Sequence, residues 1–191
     1  MFEHVTILLS FVFAIALTHL LTSSTELIWA RDRVRFSGLH ALWMVIAALG
    51  IVVNWLSIGG LSVIAHWNVT EVELQFGAAV IQYYTCSLLS LRPREDGIVD
   101  MPAFYERQRP AIFSAFAALA IIAMVMNYWD RDHTQGLTPT SWIGENVGVL
   151  VMLILNVVAG WAKPRWLQWA ASLGMLAGVL YFLSIYALPG G

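Results

Sequence analysis

Six long apolar runs govern what this chain can fold into. They cover roughly residues 5–29, 39–62, 73–91, 110–129, 142–161 and 166–188. A helix needs about 20 residues to cross a hydrocarbon core about 30 Å thick, so each run is long enough for one crossing. Backbone N–H and C=O groups must find internal partners in lipid, which leaves only helices and closed barrels. Barrel strands would alternate in polarity over about ten residues, whereas these runs are continuous. The expected fold is therefore all-α: a polytopic membrane protein, a single transmembrane domain over residues 1–191 built as a bundle of six helices. Composition agrees, since 59% of residues are hydrophobic and 12% charged, against about 25% charged in an ordinary soluble domain.

Charge sets the expected orientation. The chain has ten Lys and Arg. Arg31, Arg33 and Arg35 follow the first run. Arg92, Arg94, Arg107 and Arg109 follow the third, and Lys163 and Arg165 follow the fifth. Only Arg131 falls on the other side, so nine of the ten mark one side as cytoplasmic. Both termini are then expected on the outer, periplasmic side. The N-terminus lacks the basic region and small-residue cleavage site of a signal peptide, so the first span reads as retained. Arg31, Arg33, Arg35, Arg107 and Arg109 are expected to meet anionic lipid headgroups. The bilayer is thus the first partner, and no nucleic-acid partner is expected. Cys86 is the sole cysteine, which excludes an intrachain disulfide.

Polar residues inside the runs are the candidate functional residues, because ionisable groups in lipid are costly and cluster at functional sites. The first run carries His19, Thr22, Ser23 and Glu26. His19 is placed near the midplane, and Glu26, seven residues later, lies on nearly the same helical face. In the second run His40 sits at the cytoplasmic interface, and Asn54 shares its helical stripe. Gln82 in the third run falls at a depth similar to His19 and Asn54. Glu145 and Asn156 in the fifth run complete this polar seam. Such a line fits a proton or cation relay, or a row of ligand contacts. The same residue types also serve as hydrogen-bonding glue between membrane helices.

The longest connection, after the third run, contains Asp100 and Pro102, which read as the start of a short surface helix carrying Phe104 and Tyr105. Pro110 then reads as the opening of the fourth span. Ala170, Gly174 and Gly178 form a ridge of small residues suited to close helix packing. His4, His66 and His133 all fall on the outer side and are the candidate metal ligands, though no pair of them has a metal motif's local spacing.

Two elements carry a resemblance. Thr18-His19-Leu20-Leu21, and a basic loop leading to His40-Ala41-Leu42-Trp43, together with the Phe-Glu-His-Val-Thr start, are similar to a family of uncharacterised bacterial multi-pass inner-membrane proteins. The likeness covers the first third of the chain. It implies a bacterial inner membrane and supplies no activity.

The preferred expectation is proton or small-ion translocation through the polar seam, in a homo-oligomeric helical bundle acting as a channel or small transporter. The alternative is a non-catalytic accessory or assembly subunit of a larger membrane complex. A membrane redox protein holding haem or quinone is the second alternative. No cofactor is expected from the residues themselves, since haem would need two axial histidines at one depth and only the outer pair His4 and His66 offers one. A lipid-acting enzyme would need a catalytic cluster at the interface, and only Glu26 and His40 near the basic loops come close.

Overall fold

The computed structural model describes residues 2–59, 69–93, 97–134 and 139–187. Long helices dominate it: α1 (Phe2–Trp29), α2 (Gly38–Ser57), α3 (Val69–Leu89), α4 (Met101–Thr134), α5 (Pro139–Trp161) and α6 (Arg165–Ala187). Two residue pairs, β1 (Val34–Arg35) and β2 (Val99–Asp100), form a parallel bridge in the register Val34 to Val99 and Arg35 to Asp100. Among the described residues, four helices are long and apolar enough to cross a membrane: α1, α2, α4 and α6. Glu71, Glu73, Gln75 and Gln82 interrupt the apolar run of α3. The apolar described stretch of α5, Asn146–Trp161, is shorter than a span.

The helix ends follow local chemistry. Ser37 caps α2, its Oγ accepting from the His40 amide at 3.4 Å. Asp100 caps α4, its Oδ1 accepting from the Ala103 amide at 2.9 Å, and its other oxygen takes Arg35 Nη1 at 3.2 Å. Hydroxyls in the helices are satisfied by folding back onto the preceding turn: Ser24 donates to the Leu20 carbonyl, Thr25 to Leu21 and Thr85 to Ile81. These residues therefore sit in apolar helices without needing a partner elsewhere.

The helices do not pack simply in chain order. α1 lies against α3, α3 against α4, α4 against α5 and α5 against α6. α6 then packs on α2, which returns to α1 and α3 and closes the bundle. Trp43 of α2 is fully buried at the centre. Its ring meets Phe113 edge-on at 4.7 Å and Phe116 at 5.0 Å, both from α4. The outer surface is apolar: Phe11, Ile15, Val151, Ile154 and Leu173 are all exposed.

One expected element differs. The piece beginning at Asp100 is not a separate surface helix, and Pro110 does not open a new one. α4 runs unbroken from Met101 to Thr134 with Pro110 inside it. Proline removes one i→i−4 bond and normally weakens a helix by about 3 kcal/mol. Here the residues on either side are held independently. Tyr105 and Phe113 are buried and meet edge-on at 6.4 Å, and Arg109 is tied to the end of α5. Pro110 itself is exposed, so its ring meets no packed neighbour.

Small residues set the closest helix approaches. Gly174 and Gly178 of the α6 ridge face Leu155 and Met152 of α5, so this ridge packs within the chain. Gly160 is tighter, because an added Cβ would stand 2.9 Å from Phe113 Cβ. That neighbour is the stem of a buried ring and cannot swing away. Gly160→Ala is expected to destabilise the bundle by about 1–3 kcal/mol, read as a lowered unfolding midpoint in detergent, while Gly144→Ala, with open space around it, leaves the midpoint nearly unchanged.

Candidate functional site

Polarity concentrates where α3 and α5 end and α2 and α6 begin. A helix leaves its last carbonyls without intrahelical donors, and here side chains from other helices supply them. His40 is fully buried, and its Nε2 lies 2.8 Å from the Leu89 carbonyl at the end of α3. A carbonyl only accepts, so in the neutral ring Nε2 carries the proton and Nδ1 the lone pair. The ring stacks on Phe104 at 5.4 Å and Tyr105 at 6.2 Å. Ser23 of α1 donates to the Leu91 carbonyl at 2.9 Å, just beyond α3.

α5 is finished the same way. Arg109 of α4 donates through Nη2 to the Ala159 carbonyl at 2.8 Å and to the Ala162 carbonyl, and through Nε to Ala159 at 3.1 Å. A cation there also complements the negative end of the helix dipole. Gln168 of α6 adds a bond from Nε2 to the Ala162 carbonyl at 3.0 Å. Beside it, Trp43 Nε1 donates to Ser172 Oγ at 2.9 Å, and Ser172 donates to the Gln168 carbonyl at 2.7 Å. The Tyr105 hydroxyl also lies beside Trp43. The indole has one N–H and gives it to Ser172. The Tyr105 hydroxyl, His40 Nδ1 and Gln168 Oε1 are thus buried with no hydrogen-bond partner among the described residues.

A second polar contact lies deeper. Asn54 Nδ2 donates to Gln82 Oε1 at 3.1 Å, and Gln82 Nε2 donates to the Ala47 carbonyl at 3.3 Å. Gly50 leaves room for the Gln82 amide. Asn54 and Gln82 therefore meet, but His19 does not join them. The His19 carbonyl is 3.5 Å from Ser90 Oγ, which follows α3. That puts His19 about two turns of helix nearer the basic end than Gln82. Its ring stands edge-on to Tyr83 at 6.0 Å. It lines an open groove of about 370 Å³ with Phe11, Ala14, Ile15, Thr18, Thr22 and Arg92.

The remaining seam residues disperse. Thr22 is exposed whereas Ser23 is buried, so these neighbours leave α1 on different sides. Glu26 is half-buried in the last turns of α1. Asn156 donates to the Phe113 carbonyl at 2.9 Å, joining α5 to α4. Glu145's side chain lies outside the described ones. Of the arginines expected at headgroups, Arg31, Arg33, Arg35 and Arg107 are exposed. Arg109 is instead a capping residue, its side chain only 11% exposed. The sequence missed it because a basic residue beside Pro110 reads as a loop residue. Tyr105, Gln168 and Ser172 were also missed. The i, i+4 spacing of Gln168 and Ser172 on the face that carries Ala171 and Met175 was the available signal.

His4 is exposed, His66 lies outside the described residues, and the side chain of His133 is not described. Among the described residues no three His, Cys, Asp or Glu side chains cluster as a metal site would require.

The capping contacts make a direct prediction. Arg109→Met keeps the aliphatic stem but strands the Ala159 carbonyl of α5 and leaves the Ala162 carbonyl to Gln168 alone, with an expected loss of about 1.5–3 kcal/mol. Hydrogen exchange should then quicken over the last turn of α5 before it does so in α1. For the deeper pair, a double-mutant cycle of Asn54→Leu and Gln82→Leu is expected to give a coupling of about 0.6 kcal/mol, up to about 1.7.

Comparison with known proteins gives no match: no family model fits the chain, and neither a curated protein nor a solved structure aligns with it.

Proposed function

We propose that this chain crosses the membrane six times, with both termini opposite the basic connections. In this reading it serves as a non-catalytic accessory or assembly subunit of a larger membrane complex. The supporting observation is how its polar side chains are spent. Asn54 answers Gln82, and Trp43 answers Ser172. His40, Ser23, Asn156 and Arg109 each end on a backbone carbonyl of another helix or its flank. Groups used in this way hold helices together, as polar side chains do between membrane helices. The setting is a bacterial inner membrane, as the resemblance of the first third implies.

Translocation of protons or small ions by an oligomer is the second reading, and His19 is what favours it. It is half-buried and lines an open groove with Thr18 and Thr22. An imidazole can both take up and release a proton through its two ring nitrogens, as a relay would need.

Flux separates the two readings. Protein reconstituted into liposomes with an internal pH dye is expected to leak no faster than empty vesicles. His19→Ala and Glu26→Gln should then leave that baseline unchanged. A flux above baseline that both substitutions abolish, with the fold retained, would replace the accessory reading by translocation. Native mass spectrometry of the gently purified protein is expected to show a stable foreign subunit. Topology has its own test: Asp32→Cys should react with an impermeant maleimide only from the cytoplasmic face. Cys86, fully buried, gives no background, and labelling of the Asp32 position from outside overturns the orientation.

A further inference from the structure

The groove beside His19 is polar at one end and apolar at the other. Phe11, Ile15, Thr18 and Thr22 recur at helical spacing along one exposed face of α1. From Phe11 to Thr22 the face extends roughly 16 Å at about 1.5 Å per residue. The apolar half, Phe11, Ala14 and Ile15, lies toward the middle of α1. The polar half lies where α3 ends, and Arg92 closes it. Arg92 is exposed and has no ion-pair or hydrogen-bond partner among the described residues. By contrast, Arg35 pairs with Asp100 and Arg109 caps α5.

A guanidinium at the mouth, two hydroxyls below it and an apolar trough running inward match an amphiphile with an anionic head. Guanidinium is the preferred donor to phosphate, and anionic lipids of the inner leaflet attract such juxtamembrane cations. We propose that this groove holds one anionic phospholipid of the leaflet at the basic end. Its phosphate rests against Arg92, Thr18 and Thr22, and an acyl chain lies over Ile15 and Phe11. The site goes beyond the functional reading above and holds equally for an accessory subunit or a translocator.

The test counts bound lipid by native mass spectrometry. Protein in mild detergent is titrated with phosphatidylglycerol and, separately, with phosphatidylcholine of the same chains. One phosphatidylglycerol per chain is expected to be retained in preference to phosphatidylcholine. Arg92→Gln should weaken it about fivefold, the effect of one cation near a membrane surface. Ile15→Trp, which fills the apolar half, should displace it. Both positions are exposed, so neither change disturbs buried packing. Arg165→Gln, an exposed cation at the same end but outside the groove, should change nothing. Equal retention of the two lipids, or the same loss in Arg165→Gln as in Arg92→Gln, overturns the proposal. A lipid-free dimer whose copies bury this face also overturns it.

Discussion

The last carbonyls of a helix have no donor of their own, and in apolar surroundings no water replaces one. The basic end of this bundle is organised around that deficit. Leu89 and Leu91 at the end of α3 are answered by His40 from α2 and Ser23 from α1. Ala159 and Ala162 at the end of α5 are answered by Arg109 from α4 and Gln168 from α6. Each bond therefore satisfies a helix end and fastens a neighbouring helix at the same time. The parallel bridge of β1 and β2 adds to this layer, with Asp100 both capping α4 and holding Arg35.

This arrangement explains why the polar residues divide into two populations. Those near the capping layer and between α2 and α3 are turned inward and bond within the chain, with the Tyr105 hydroxyl, His40 Nδ1 and Gln168 Oε1 left over among the described residues. Those on the outer face of α1, Thr18 and Thr22 with Arg92, are open to the surroundings. The second population is available to another molecule, and His19 stands at the boundary between the two.

The helical class and the approximate segments were legible because continuous apolar length admits few alternatives. The pairing of Asn54 with Gln82 was also within reach of depth counting. His19 was not, because counting from the middle of each run assumes that the helices are flush. α1 has 28 residues and α3 has 21, and Ser90 sets their relative height. Pro110 misled for a related reason: punctuation marks a boundary only when nearby packing does not override it. Arg109 belongs to the same error, since a residue taken as part of a connection is given to solvent or headgroups. Tyr105, Gln168 and Ser172 carried too little local signal, because their importance comes from which helix each one faces.

The bond between Trp43 and Ser172 joins residues 129 positions apart, and α2 lies between α1 and α6 in the bundle. A ribosome delivers α2 well before α6, and chains fold in that order as they emerge. Throughout synthesis the Trp43 face of α2 is therefore without its final neighbour. The contact between α2 and α6 forms only once α6 has been made. A chain released before α6 is made lacks Ser172 and leaves the Trp43 indole N–H without its acceptor, at the centre of the bundle where an unpaired donor costs most.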